Sequence, residues 1–532
     1  MNKRLIVSIL CGCFVCASVF SFIGCVKKTD NSDKTVEVLI NDAGYGIKWF
    51  EELETIFENR TDYNVEFRKV GSNDNTENAI RSGAKNNTVD LFITGDAFGR
   101  YIDNGSKMVD GYDYCLEPLD DVMNYTPESE TRTIGEKMWA AYRNSIAMDV
   151  ELNGEIGTHY FYMPWASGFG GLFYNTKLYE DAGLSGTPRT TKELVEYCRT
   201  LKNAGIMPFI HSSEGGYWEY IFNIWWAQYE TLQGIDNFYN AKISDTAIPD
   251  AVSSMGIFDQ KGIKYSLEAI SSIIDPGNEF LPELVESLDY TTAQARFLAG
   301  QAAMMPNGDW LENEMKKSGI ESEYIMPMKT PILSDIAEKC SFASAEENVR
   351  EQNLRALVDY VDGKAGLPTY DEESNVKADV AIVEKARKVS YTIGNLHGLC
   401  IPAYATAKEG AKEFLKLMYS DEGLAVYMRT TSGSLLPFDY DYENNEAYSS
   451  LSNFAKTKLD ILSYSEYMLM PGVQYRSSYI GGLVPVYRSS PYEILLGSRD
   501  SNTRTTPEKL IQDTKSYYSS RLEKVLRDSG LL

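Results

Sequence analysis

The chain has 532 residues, too many for one ordinary hydrophobic core and suited to two or more lobes. Apolar residues make up 43% and charged residues 24%, the balance of a folded globular protein. The net charge of −25 repels nucleic acid and anionic lipid, which argues against both as partners recognised by charge.

Residues 1–24 read as a signal peptide. Lys3 and Arg4 give a positive start, Ile6 to Ile23 is a mostly apolar run, and Phe22-Ile23-Gly24-Cys25 closes it. That ending resembles a bacterial lipobox, with Phe22 where Leu is usual, and implies a lipid on Cys25. An uncleaved membrane helix is the alternative, because Leu5 to Gly24 is long enough to span. Residues 25–34 are polar and unpatterned, as a tether should be.

Val36, Val38 and Ile40 alternate, the pattern of a strand. The turn 41–46 follows, then Trp49, Phe50, Leu53, Ile56 and Phe57 at helical spacing. Val65 and Phe67 mark a second strand, Asn78–Arg81 a helix and Val89–Thr94 a buried third strand. This β-α-β-α-β order starts an open α/β sheet, in which ligands bind beyond the carboxyl ends of the strands, here the loops 41–46 and 95–98. Further along, the spacing predicts a helix over 190–201 capped by Thr190 or Thr191 and a strand over 205–210. Helices are predicted over 217–229, 293–304 and 412–428, with a turn at 432–437. Residues 329–390 form a charged, helix-rich excursion without site chemistry.

Of eight cysteines, Cys115, Cys198, Cys340 and Cys400 lie beyond the N-terminal segment. None forms a C-x-x-C pair or sits at ligand spacing from a histidine, so no metal site is expected. Unpaired buried thiols are the expectation, with a Cys340–Cys400 bridge as the alternative.

Three segments carry a resemblance. Gly171-Leu-Phe-Tyr-Asn-Thr-Lys-Leu-Tyr-Glu-Asp-Ala-Gly-Leu184 is followed by Pro188-Arg-Thr-Thr-Lys-Glu-Leu194. Phe297 to Trp310 has the pattern F-x-x-G-x-A-A-M ending in G-D-W. Ala411 to Met418 is followed by Ser420-Asp-Glu-Gly423. In this order they resemble the family-1 extracellular solute-binding proteins of carbohydrate ABC importers, the group that includes maltodextrin-binding protein. The resemblance implies an α/β, two-lobed periplasmic-binding-protein-like fold of type II, with the ligand cleft between lobes joined by hinge segments. Lobe 1 is expected over 35–162 and 393–433, and lobe 2 over 163–392 and 434–532. It further implies a lipid-anchored receptor on the outer face of the cytoplasmic membrane that hands a sugar or oligosaccharide to ABC permease subunits, with no cofactor.

A sugar offers C–H bonds on its faces and hydroxyls at its edge, so its receptor needs aromatic planes beside carboxylates, amides and Arg. Trp310, after the turn Asn307-Gly308, matches the family's stacking Trp. Asp309 is read as a hydroxyl acceptor or as an N-cap or turn residue, and Asp96 as a ligand acceptor at the third strand's end or a helix cap. Tyr45 is a ligand contact or a packing lid. Trp165 follows the first lobe crossing; Tyr217 and Trp218 sit where the maltodextrin type places an acid and aromatics. Tyr475 and Arg476 are weaker candidates from the tail, whereas Trp225 and Trp226 read as core. A glycoside-active enzyme would also need aromatics and carboxylates, but no G-x-S-x-G, H-E-x-x-H or P-loop pattern is present, and His159, His211 and His397 are scattered. The same fold binding a polyamine, a peptide or another non-sugar solute is the second alternative.

Overall fold

The computed structural model describes residues 33–42, 44–71, 76–96, 98–103, 110–212, 217–239, 256–283, 285–319, 323–394, 397–469 and 505–519 with 521, 523, 524 and 527. The signal segment, Cys25, Tyr475 and Arg476 lie outside the described residues.

Two five-stranded sheets organise the chain. The first has β1 (Thr35–Asn41) at its heart, parallel to both β2 (Asn64–Val70) and β3 (Leu91–Ile93). The alternation read in the sequence buries Val36, Val38 and Ile40. The helix Lys48–Arg60 lays Trp49, Phe50, Leu53 and Phe57 into the same core, an apolar stripe at helical period. A two-stranded ribbon, β4 (Ala147–Leu152) with β5 (Glu155–Tyr160), had no signal in the sequence reading. The first sheet ends with β6 (Met163–Pro164), which joins β3 through the later strand β11 (Gly398–Cys400). Met163 and Pro164 therefore belong with the first sheet, and the chain leaves it after Pro164.

The second sheet is built on β7 (Phe169–Asn175), antiparallel to β8 (Met304–Gly308) on one edge. Its other edge is shared by β9 (Ile325–Met328) and β10 (Val389–Thr392), and β12 (Glu466–Leu469) lies parallel to β10. The two crossings between sheets, β6 to β7 and β10 to β11, lie against each other. Gly168, at φ +63°, would place a Cβ 2.7 Å from the backbone N of Gly394. Only glycine fits there. Tyr142 OH donates to Ser167 O (2.6 Å) and lies 2.6 Å from Thr392 Oγ1, so one side chain ties both crossings.

Three expected elements differ. Residues 205–210 form no strand, only a bridge from Phe209 to Met304, because Pro208 has no N–H for a ladder. The helix expected over 293–304 ends at Leu298; Gly300, at φ +72°, turns the chain into β8. The single helix over 412–428 is two, Lys408–Met418 and Asp421–Thr430, separated where the Ser420 hydroxyl accepts from Gly423 N as an N-cap. Thr190 caps the helix Thr191–Asn203 as expected. Helices Glu347–Val361 and Glu373–Lys388 fill the charged excursion. The four described cysteines are free and buried. Among the described residues no helix is long and apolar enough to cross a membrane, and no group of His, Cys, Asp and Glu is placed to hold a metal.

Candidate functional site

The site begins with two glycines. Gly170 of β7 and Gly308 of β8 are paired directly across the second sheet. A Cβ on Gly170 would stand 2.3 Å from the Tyr220 ring, and one on Gly308 would stand 2.2 Å from the Trp310 ring. The bare backbone is thus a floor on which two aromatic rings lie, 6.5 Å apart between centroids. Tyr217 packs against Trp310 at 5.7 Å and is itself held at φ +57°, a conformation bulky residues seldom adopt. This arrangement gives a reason for the glycines that stand beside aromatics in 163–175 and just before Trp310.

The first lobe supplies the opposite wall. The loop after β1 carries Tyr45 into the seam between the sheets, where its ring meets Trp165 (5.9 Å), Trp310 (6.1 Å), His397 (6.3 Å) and Tyr427 (6.3 Å). Tyr45 OH donates to Asp309 Oδ1 at 2.6 Å and accepts from Gly168 N at 3.1 Å. Trp165 stacks on Trp49 and donates its indole N–H to Thr94 O at 2.6 Å. Tyr45, Trp165, Asp309 and Trp310 are 4%, 1%, 0% and 8% exposed, so in this conformation the rings cover one another and the seam is shut.

A buried cation completes the site. Lys458, fully buried on the helix Asn453–Ser463, donates to Asp309 O, Ser432 O and Ser434 Oγ at 3.0–3.1 Å. Burial pushes the Asp309 pKa up, against the opposing pull of Lys458 and the Tyr45 hydroxyl. Burial likewise pushes Lys458 down, against the pull of Asp309. Burial and the Asp309 charge raise Tyr45 well above the usual phenol range, so it remains a donor. Around this centre the buried Thr94 Oγ1, Ser167 Oγ, His397 Nδ1 and Tyr427 OH have no hydrogen-bond partner among the described residues. Buried polar atoms are seldom left so, and four at one seam are a concentration.

The fold therefore brings together Tyr45, Trp165, Tyr217, Asp309 and Trp310. Asp309 is no helix cap: Trp310 holds that position for Leu311–Ser318. Asp96 lies two residues beyond Thr94, half-buried, and accepts from Tyr101 OH at 2.7 Å. Trp218 does not join the group; it is fully buried against Phe209 (5.4 Å) and His211 (6.2 Å) in the core of the second lobe. Trp225 and Trp226 are core, as read. His211 is 1% exposed, and burial pushes its pKa down to about 4, so it is neutral at physiological pH. The sequence reading missed Tyr220, Tyr427 and Lys458. Tyr220 sits in an aromatic-dense helix and Tyr427 among the apolar positions of Asp421–Thr430, both of which read as core, and nothing near Lys458 in sequence announces a partner.

The sequence model of a family described as "Bacterial extracellular solute-binding protein" matches residues 31–425. The chain belongs to that family. A search of the curated proteins gives no match. Among solved structures the chain is similar to a "Chitin oligosaccharide binding protein", at 16% identity, 92% of this chain, 99% of the other and a TM-score of 0.56. It is also similar to "SBP RafE in complex with raffinose", at 13% identity, 92% and 99% coverage and a TM-score of 0.57. A third is "Maltose bound T. maritima MalE3", at 14% identity, 92% and 100% coverage and a TM-score of 0.55. These likenesses show the fold, the two-lobed type II architecture of solute-binding proteins. The family places the protein among extracytoplasmic binding proteins.

Proposed function

We propose that this protein captures a sugar or oligosaccharide between its lobes and delivers it to the permease of an ABC importer, while a lipid on Cys25 holds it at the outer face of the cytoplasmic membrane. The observation that carries this reading is the seam itself. Indole and phenol rings from both lobes converge there with one carboxylate, and four buried polar atoms around them lack partners among the described residues. Rings cover the faces of a pyranose, and the polar atoms match hydroxyls at its edge. The described structural neighbours, by their names, bind chitin oligosaccharides, raffinose and maltose, which supports a sugar as ligand. The residues proposed to contact it are Asp96, Trp165, Tyr217, Asp309 and Trp310, with Tyr45 as the packing lid over them and lobe closure as the mechanism.

A thermal-shift screen against a panel of neutral oligosaccharides identifies the ligand, and calorimetry tests the site. Trp310→Ala is expected to weaken that ligand by about 1–3 kcal/mol, the scale of one lost stacking platform. Unchanged affinity removes Trp310 from the site, and release of shorter saccharides during incubation would show an enzyme instead. Cys25→Ser is expected to move the protein from the membrane fraction to the medium; retention in the membrane would contradict the anchor.

A further inference from the structure

Tyr45 occupies the seam as a ligand would. Its hydroxyl gives a hydrogen to a carboxylate, Asp309 Oδ1, and takes one from a backbone amide, Gly168 N. Its ring is met edge to face by Trp165 at 81°, Trp310 at 77° and His397 at 90°. The residue reaches this place on a loop with glycine on either side, Gly44 at φ +36° and Gly46 at φ +69°, both conformations that other residues adopt with strain. The loop tip is pressed against the second lobe: a Cβ on Gly44 would stand 3.2 Å from Trp310 Cβ. Tyr45 thus comes from lobe 1, bonds to Asp309 of lobe 2 and touches the crossing between them at Gly168.

We propose that Tyr45 is a tethered stand-in for the ligand, which holds the lobes closed when no solute is bound and which the solute must displace. The proposal rests on the seam being the solute site. It also narrows what the solute is. The group that replaces the phenol must donate to Asp309 and accept from Gly168 N with the same atom. A hydroxyl does both, whereas an ammonium has donors alone, so a polyamine leaves the Gly168 amide unpaired. The flanking rings ask for a flat C–H-bearing body around that hydroxyl. The chemistry is that of a neutral polyhydroxylated ring.

Two measurements on purified protein separate this from the functional reading. The first needs no ligand. Small-angle scattering of the unliganded wild type is expected to give the compact radius of gyration of the closed structure, and Tyr45→Ala to give a larger one. Tyr45→Phe keeps the ring and loses the hydroxyl, and should fall between the two; its thermal melt confirms that the fold survives. Identical radii for wild type and Tyr45→Ala overturn the proposal whatever the solute. The second is calorimetry with the oligosaccharide that gives the largest thermal shift. Loss of the competitor is expected to tighten binding to Tyr45→Ala by about tenfold or more and to return the radius to the compact value. Weaker binding to Tyr45→Ala makes Tyr45 an ordinary ligand contact and overturns the proposal while leaving the sugar reading intact. Expansion of Tyr45→Ala with no response to any oligosaccharide overturns the sugar reading and leaves Tyr45 as the latch of a site for another solute.

Discussion

Gly308 shows how a residue without a side chain positions one with the largest. Trp310 rests on it so closely that a single added carbon would overlap the indole, and the strand pairing with Gly170 gives the backbone little room to retreat. Gly308→Ala is expected to lower stability by about 1–3 kcal/mol, the usual cost of overpacking, and to shift the Trp310 ring. Urea unfolding with tryptophan fluorescence reads both, and an unchanged midpoint and spectrum would mean that the ring has slack. Asp309 makes the complementary point. Its sequence position, one before the stacking Trp, pointed to a polar role, but its partners Tyr45 and Lys458 lie 264 and 149 residues away along the chain. Contacts of that range leave no periodic trace, and so the aromatic half of the seam was legible while its buried cation was not.

At the scale of elements, alternation and helical spacing carried the first sheet well. Val36, Val38 and Ile40 face one core because a strand has period two, and no competing signal interrupts them. The misreadings have local physical causes. Pro208 broke an otherwise strand-like run, and Gly300 ended a helix whose apolar pattern ran on into β8. The charged excursion is held together at its base by a buried ion pair between the end of helix Glu347–Val361 and helix Glu373–Lys388. Asp362 and Arg387, 6% and 1% exposed, pair through two hydrogen bonds of 2.8 and 3.0 Å, and Lys329 adds a third at 2.9 Å. Burial works to raise the Asp362 pKa, but the Arg387 and Lys329 contacts outweigh it and hold the carboxyl well below its usual range. Its contribution to stability is therefore complete above the unfolded value near pH 4 and is lost as the pH falls below that. Asp362→Ala strands Arg387 in the interior and should cost about 3–5 kcal/mol, far more than a surface pair. Denaturant unfolding at neutral pH checks this, and the gap between wild type and variant should shrink at pH 3. A loss under 1 kcal/mol would show that Arg387 finds another partner.

For the whole molecule, the question is what holds the two lobes together. Lys317 Nζ reaches Asp42 Oδ1 across the seam at 2.9 Å, but both side chains are substantially exposed, and such a pair contributes about 0–1 kcal/mol. The Tyr45 hydrogen bond to a fully buried carboxylate belongs to the stronger class, about 1.5–3 kcal/mol. The buried contact should win. Closure is therefore expected to be insensitive to ionic strength: Lys317→Ala and 1 M salt (roughly a 3 Å screening length) should leave the scattering radius unchanged. Expansion in salt would show that surface charge governs the lobes.

The abutting backbones of Gly168 and Gly394 determine how such a movement is felt. A side chain at either place would act as a cog, giving preferred angles of rotation and friction between them. Bare peptide offers neither. On the proposed closure the axle carries no side-chain stops of its own, and the angle between the halves would be set by whatever occupies the jaw: a phenol at rest, a guest when one arrives.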